Sequence, residues 1–335
     1  MNPVIFPSDE VSIETPFSSQ ANAGPVAAAV REGLATRPRR LPAWLFYDEA
    51  GSLLFERITE LPEYYLTRTE RGILTAHAGE MIARAAEGEQ LRIVELGAGS
   101  ADKTRLLLAA AVAAQGKVLY EPVDVSATAL DAAKDRIERE IPGVTVAPRV
   151  MDYVHGLDLE AEGPDERRLV LYIGSSIGNF DLEDAAKLLN GVRGALRPGD
   201  GILLGVDLVK DVRTLLAAYD DAAGVTAAFN LNLLVRLNRE LGANFNLRAF
   251  RHKAVWDEVH SRMEMHLESL SSQTVHIRAL GMDVEFLPGE RIHTENSYKY
   301  APGQAERMLE NAGFGAAGCW SDAAGWFSVC LGRVE

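Results

Sequence analysis

Between about residue 70 and residue 208 the chain alternates apolar runs with helical sequence, and this alternation restricts the fold more than any other feature. Near-continuous apolar strands separated by helices indicate a parallel sheet covered on both faces, because such strands have no polar side to show to water. The strands read as 91–96, 118–125, 144–150, 169–174 and 201–208. Helical sequence covers 102–114, 126–140 with Ser126 as its cap, and 182–196, where Arg197-Pro198-Gly199-Asp200 stops it. Ahead of the first strand, Thr67-Arg68-Thr69-Glu70 fits a capping box that starts a helix just before Ile73.

The alternation breaks after residue 209. Residues 210–298 open with helical sequence and continue with Val275-His276-Ile277-Arg278 and Val284-Glu285-Phe286-Leu287, which read as short antiparallel strands. A helix over 304–311 then leads to two last strands, at 316–320 and 326–331, that complete the first sheet. The middle segment therefore reads as an insertion. Expected domains are 21–68 plus 210–298 for substrate, and 69–209 plus 299–335 for a cofactor, after a loose arm over 1–20. The second domain would close over the carboxyl edge of the sheet, where open α/β sheets bind ligands.

Charge and composition remove several function classes. A formal net charge of −14 argues against a nucleic-acid or anionic-membrane surface. Apolar content of 47% with 24% charged residues fits a globular protein. The start is polar and acidic, without an apolar leader, so a cytoplasmic location is expected. Cys319 and Cys330 lie in apolar segments and read as buried thiols. The seven histidines lack ligand spacing, which leaves no metal site, and no G-x-S-x-G supports hydrolase chemistry.

The chemistry-bearing turn is Ile93-Val94-Glu95-Leu96-Gly97-Ala98-Gly99-Ser100. A dinucleotide fingerprint has a third glycine, which lets the helix pack close behind a pyrophosphate; here that position is Asp102. Glycines without the pyrophosphate cradle favour S-adenosylmethionine over NAD, although an ordinary strand-to-helix turn can carry the same two glycines. Asp124 ends the second strand 27 residues after Gly97, where an acid can accept both hydroxyls of a ribose. Asp152-Tyr153 could hold an adenine, more weakly argued. Gly174-Ser175-Ser176-Ile177-Gly178-Asn179 leaves room for a ligand, and Asn179 offers both a donor and an acceptor.

Tyr47, Tyr64 and Tyr65 crowd a short stretch and, judged alone, read as packing residues; Tyr219 is equally ambiguous. In His293-Thr294-Glu295-Asn296-Ser297, an extended backbone puts Glu295 and Ser297 on one face and Asn296 on the other. A carboxylate beside a hydroxyl could hold the two nitrogens of an imidazole, while the polar outer face of an edge strand would look the same.

Together these stretches resemble a known family. Trp44-Leu45-Phe46-Tyr47-Asp48, Leu61-Pro62-Glu63-Tyr64-Tyr65-Leu66-Thr67-Arg68-Thr69-Glu70, Val94-Glu95-Leu96-Gly97 and Gly174-Ser175-Ser176-Ile177-Gly178-Asn179 carry the likeness. So do Asp207-Leu208-Val209-Lys210-Asp211, residues 218–230 and His293-Thr294-Glu295-Asn296-Ser297. From about Leu41 onward the chain resembles the L-histidine Nα-methyltransferases of ergothioneine biosynthesis, which trimethylate histidine to hercynine. Ser176 stands where relatives also carry threonine, which keeps the hydroxyl.

The resemblance implies an α/β fold: a Rossmann-like class I methyltransferase sheet with a second, inserted α+β substrate domain. It implies S-adenosyl-L-methionine as methyl donor, held by Gly97, Lys103, Asp124, Asp152 and Tyr153, and no metal. Tyr64, Asn179 and Tyr219 would hold the amino-acid carboxylate and amine, Glu295 and Ser297 the imidazole, and Met265 would line the pocket. Tyr47 or Tyr64 could help remove the amine proton, directly or through a water. L-histidine is then the expected partner, with no nucleic acid, no membrane and a monomeric chain. The nearest rival is the same fold acting on tryptophan or tyrosine, against which Glu295 argues. A ligand-binding module without catalysis and a dinucleotide oxidoreductase are further rivals. The retained cofactor residues oppose the first, and Asp102 opposes the second.

Overall fold

The structure, a computed structural model, describes residues 24–99, 101–124, 127–151, 153, 156–157, 159 and 166–335. The expected N-terminal arm, the Ser126 cap and Asp152 lie outside the described residues.

The chain opens with helix α1 (Pro25–Ala35), strand β1 (Arg39–Arg40), helix α2 (Glu49–Thr59) and helix α3 (Tyr65–Ala86). Proline at the start of α1 costs nothing, since the first helical amides have no intrahelical partner. Asp48 caps α2 by accepting the Gly51 amide at 2.8 Å. It also accepts from Asn232 at 2.8 Å and Arg239 at 2.7 Å. The capping box expected over 67–70 is corrected: α3 begins at Tyr65, so those residues lie inside the helix. Glu70 does not reach back to a cap. It is buried, and its carboxylate accepts the Gly174 amide at 2.8 Å and the Lys103 ammonium.

Next come β2 (Gln90–Leu96), α4 (Thr104–Gln115), β3 (Val118–Asp124), α5 (Ala127–Glu140), β4 (Val144–Val146), β5 (Arg149–Val150), β6 (Glu166–Tyr172), α6 (Leu182–Gly194) and β7 (Gly201–Asp207). All these strands pair in parallel. The single strand expected over 144–150 is two short ones, both paired with β3. Pro148 lies between them and has no N–H to give to a ladder.

The insertion holds α7 (Val212–Tyr219), α8 (Val225–Leu241), β8 (Phe250–Asp257), β9 (Arg262–Ser269), β10 (Gln273–Ile277), β11 (Met282–Phe286) and β12 (Arg291–Tyr298). The β10–β11 hairpin stands where the sequence placed antiparallel strands. Sequence reading missed β8 and β9. They belong to a second sheet of order β1-β12-β9-β8. One face of that sheet carries Met263, Met265, Leu267 and Ile292 into a core with Phe229, Leu233 and Leu237 of α8. Its other face carries Arg251, Lys253, Glu264, Glu268 and Arg291, charges that mask the strand pattern.

Helix α9 (Gln304–Asn311), β13 (Gly315–Ser321) and β14 (Phe327–Arg333) return to the first sheet, whose order is β13-β14-β7-β6-β2-β3-β4. Strand β14 runs antiparallel to β7 and to β13. One face packs Ile73, Leu74 and Met81 of α3 with Leu107 and Leu108 of α4; the other packs Leu188 and Leu189 of α6 with Leu309 of α9. Together with the inserted second sheet this is the expected α/β class. The cysteine expectation is corrected: Cys319 and Cys330 are directly opposite on β13 and β14 and form a disulfide, with Cys319 exposed. Among the described residues, no helix is long and apolar enough to cross a membrane.

Candidate active site

At the carboxyl edge of the first sheet, Gly97 and Gly99 adopt φ of +69° and +49°, which side chains other than glycine resist. A Cβ on Gly97 would sit 3.1 Å from the Tyr153 hydroxyl, so the turn leaves a cradle that any other residue would fill. The Gly97 amide donates to Val123 O at 2.9 Å and the Gly99 amide to Asp124 Oδ2 at 3.4 Å. Gly97, Asp124 and Tyr153 are therefore brought together, as the sequence led us to expect.

Lys103 lies at the same edge. Its ammonium pairs with Glu70 and would meet a Cβ on Gly174 at 3.1 Å, so it spans from the glycine turn to the end of β6. Asp102 is held by Arg105 at 2.9 Å and Arg71 at 2.5 Å at the start of the helix. Asp102 stands where a dinucleotide cradle has the third glycine that lets the helix pack close behind a pyrophosphate, so the turn suits a nucleoside cofactor without one. Glu95 plays a structural part. It accepts from Thr104 Oγ1 at 2.6 Å and from the Tyr120 hydroxyl, and burial pushes its carboxyl up to about 7.

Facing this edge is an aromatic cleft. The Tyr47 ring lies 5.7 Å from Phe55 and 5.9 Å from Phe229; Tyr64 lies 6.3 Å from Phe55 and 6.5 Å from Tyr219. Burial raises the phenols of Tyr47, Tyr64 and Tyr219 above their ordinary value, so all three stay protonated near neutrality. Tyr47 is nonetheless 42% exposed. The cap at Asp48 fixes its backbone against α8.

Strand β12 supplies the polar wall. A bulge between His293 and Glu295 inserts Thr294, whose hydroxyl donates to Asn230 at 2.9 Å and to Met265 O at 3.0 Å. A bulge shifts the side-chain alternation by one. Thr294 therefore points into the core, and Glu295 and Ser297 after it point to the cleft instead of the charged face. Asn296 points away, accepting from His293 Nε2 at 2.8 Å and donating to Asp181 at 3.2 Å, as expected. Glu295 pairs across the ladder with Met265, which is buried. Among the described residues, its carboxylate has no hydrogen-bond partner, and burial pushes it up to about 7 against the pull of Lys299.

Ser297 Oγ lies 2.6 Å from the Tyr219 hydroxyl, and Lys299 Nζ donates to both, at 2.8 and 2.9 Å. Asn179 sits on a short 3-10 turn, Ser176–Asn179. That turn packs on β12 so closely that a Cβ on Gly178 would lie 3.0 Å from Tyr298 O.

Sequence reasoning missed the supports beneath these groups. Asn230 links His252, at 2.9 Å, to Thr294, and His252 in turn lies 2.8 Å from Tyr219 O. Asp207 accepts from Tyr65 at 2.7 Å and Lys210 at 2.5 Å and forms an ion pair with Lys299 at 2.8 Å. Lys299 had a signal, since it follows Ser297 by two and shares its face. Asp207 had one too, as an acid ending an apolar strand. Asn230 and His252 had none. The arrangement sets a cradle for a nucleoside cofactor beside a cleft with aromatic walls, an unpaired carboxylate and a pair of hydroxyls. It suits a small amino acid with a polar ring.

A sequence profile described as histidine-specific, SAM-dependent methyltransferase matches residues 26–334. The histidine N-alpha-methyltransferase of Mycolicibacterium smegmatis is 44% identical over 90% of this chain and 92% of its own. The histidine N-alpha-methyltransferase of Mycobacterium tuberculosis is 42% identical over the same shares. Ergothioneine biosynthesis protein 1 of Neurospora crassa is 34% identical over 85% of this chain, which spans 32% of that longer protein.

Proposed function

The chain belongs to the histidine-specific, S-adenosylmethionine-dependent methyltransferases, and we propose that it carries the α-nitrogen of L-histidine through three methyl transfers to hercynine, the first step of ergothioneine biosynthesis. It is an S-adenosylmethionine-dependent amino-acid N-methyltransferase. The observation that carries the histidine assignment is Glu295, a carboxylate without a hydrogen-bond partner among the described residues, turned into the cleft by the Thr294 bulge with Ser297 beside it.

In this reading Asp124 accepts the ribose hydroxyls, Tyr153 and Asp152 flank the adenine, and Gly97 leaves the room. Lys103 faces the cofactor's carboxylate. Tyr64, Asn179 and Tyr219 hold the substrate's carboxylate and amine, Glu295 and Ser297 hold its ring, and Met265 closes the apolar side. The two sheets with separate cores support the reading in which 21–68 plus 210–298 take the substrate and 69–209 plus 299–335 the cofactor.

S-adenosylmethionine, when bound, supplies an electrophilic methyl on a sulfonium, which makes it its own leaving group. The protein's task is then placement, which can supply much of the rate by itself. In each transfer the α-nitrogen lone pair forms the N–C bond as the S–C bond breaks, and the amine gives up a proton beforehand. Tyr47 and Tyr64 have phenols too reluctant to ionise to serve as standing bases. Their oxygens instead accept an N–H of the ammonium while their own hydroxyl protons donate onward to water, so that a proton taken up on one side is released from the other and the phenol stays neutral. Aromatic faces also suit a nitrogen that ends as a quaternary cation. The chain is read as a monomer, and the expected compartment is the cytoplasm.

Mass spectrometry of histidine incubated with the protein and S-adenosylmethionine tests the reading. A product three methyl groups heavier is expected. Unmodified histidine alongside a methylated tryptophan or tyrosine would move the assignment to the rival substrate.

A further inference from the structure

Lys299 is a cation with no exposed surface, three donors and three partners. Its Nζ lies 2.9 Å from the Tyr219 hydroxyl, 2.8 Å from Ser297 Oγ and 2.8 Å from Asp207 Oδ2. An ammonium has no lone pair, so the two hydroxyl contacts are donations, and the contact with Asp207 is an ion pair. The two hydroxyls are themselves 2.6 Å apart and share a hydrogen bond.

Counting protons fixes what this triangle can offer. Two hydroxyls bring two protons and four lone pairs. Lys299 fills one lone pair on each oxygen. Their mutual bond uses one proton and one more lone pair. One proton and one lone pair remain, and they lie on different residues. The hydroxyl that donates in the mutual bond keeps a lone pair; the one that accepts keeps its proton.

The inference rests on the substrate reading above and takes Tyr219, of the three residues that hold the carboxylate and amine, to face the carboxylate, since the Lys299 ammonium beside its hydroxyl disfavours a second cation. A carboxylate only accepts, so Tyr219 must keep its proton free for it. Ser297 then donates to Tyr219 and presents only a lone pair to the cleft. The ring nitrogen that meets Ser297 must therefore carry a hydrogen. In a neutral imidazole the other nitrogen would be bare, and an ionised Glu295 cannot donate to it.

We propose that Lys299 is a positioning residue that locks Ser297 as an acceptor, so that histidine is bound with both ring nitrogens protonated, as an imidazolium against ionised Glu295.

The surroundings agree. The groups around Glu295 are the phenols of Tyr47, from the turn before α2, Tyr64, at the start of α3, and Tyr219, at the end of α7, with Lys299 below and the apolar Met265 on β9. None of the phenols is charged near neutrality, and Lys299 shares the single charge of Asp207 with Lys210. Burial leaves the lone Glu295 carboxylate short of a cation, holding it up to about 7. A ring that can take a second proton near neutrality supplies that cation. Indole and phenol rings can donate a hydrogen bond but take no second proton, so each would leave an ionised Glu295 without a counter-cation.

The probe is ring-labelled nitrogen-15 histidine, bound with S-adenosylhomocysteine at pH 8, where the free imidazole is neutral. Two proton-bearing ring nitrogens are expected in the spectrum. One bare nitrogen overturns the proposal. In Lys299→Met the lock is gone, so Ser297 can turn to donate. A bare nitrogen should appear, and KM for histidine should rise about tenfold, the worth of one charge-assisted hydrogen bond, with a smaller change in kcat. Should that variant not fold, Ser297→Ala removes the same acceptor and should also give a bare nitrogen. A doubly protonated ring in whichever variant folds overturns the role of the triangle. Turnover of histidine is followed in parallel. Methylation together with a bare nitrogen in the wild type refutes the proton placement alone, whereas no turnover and no bound signal refute the substrate assignment beneath it.

Discussion

Lys299 and Asp207 form a 2.8 Å ion pair in which neither side chain has any exposed surface. The pair ties the residue after β12 in the second sheet to the carboxyl end of β7 in the first. Asp207 also receives the Tyr65 hydroxyl and Lys210, so one carboxylate anchors a cluster with two ammonium groups. Burial pulls Lys210 down to about 8, against the attraction of Asp207.

Asp207→Asn should therefore be costly. It keeps the shape but leaves two poorly hydrated ammonium groups without a counter-charge. Losing one partner of a buried pair costs about 3–5 kcal/mol. Urea unfolding followed by circular dichroism reads the loss directly. A change below about 1 kcal/mol would mean that water reaches the cluster.

Asp124→Ala should weaken cofactor binding. The side chain faces the Gly99 amide at the end of β3, where a ribose would donate two hydroxyls to it. Charge-assisted bonds of this kind are worth about 1.5–3 kcal/mol each, so affinity should fall at least tenfold. Titration calorimetry with S-adenosylhomocysteine measures it. Unchanged affinity would remove Asp124 from the site.

Glu295→Ala should erode selectivity for histidine. The imidazole loses its acceptor, at a cost of roughly 1–3 kcal/mol, and the space beside Met265 grows for a larger apolar ring. The ratio of kcat/KM for histidine over tryptophan should drop, while cofactor affinity holds. A ratio equal to that of the wild type would mean that Glu295 does not read the ring.

Glu95 gives a pH dependence of known sign. Its carboxyl rises from 4.5 to about 7 on folding, chiefly because it is buried. Below 4.5 both states are protonated and the group has no effect. Between 4.5 and about 7 the folded state holds the extra proton, so stability falls as pH rises, by on the order of 3 kcal/mol in all. Above 7 the loss is complete. Glu95→Gln cannot ionise. Its stability relative to the wild type should rise by that amount between pH 4.5 and pH 8, measured by urea unfolding at both. A difference that stays flat with pH would show that the Thr104 and Tyr120 hydrogen bonds outweigh burial.

Much of the first sheet was legible because each of its strands is buried on both faces, so local sequence alone marks it. The glycine turn and Asp124 were legible for a related reason: a turn that needs positive φ selects glycine, and a strand end selects its own polar tip. Strands β8 and β9 were not legible, since charges such as Arg251 and Glu264 on their open face dilute the pattern. The cysteines misled because two apolar segments say nothing about register, and register alone sets Cys319 opposite Cys330. Glu70 misled because a capping box and a buried ion-pair partner of Lys103 look alike in one dimension.

The sequence by itself determined the sheet class, the glycine cradle and the residue types of the candidate pocket, because these depend on neighbours close along the chain. Only the tertiary structure decided which way they face. The bulge at Thr294 aims Glu295 inward, and it is held by Asn230, 64 positions away. The direction of the Ser297 hydroxyl depends on Lys299, Tyr219 and Asp207, which come from three separate parts of the chain. Hydrogen-bond polarity is a property of such a closed set of partners, and no local pattern encodes it.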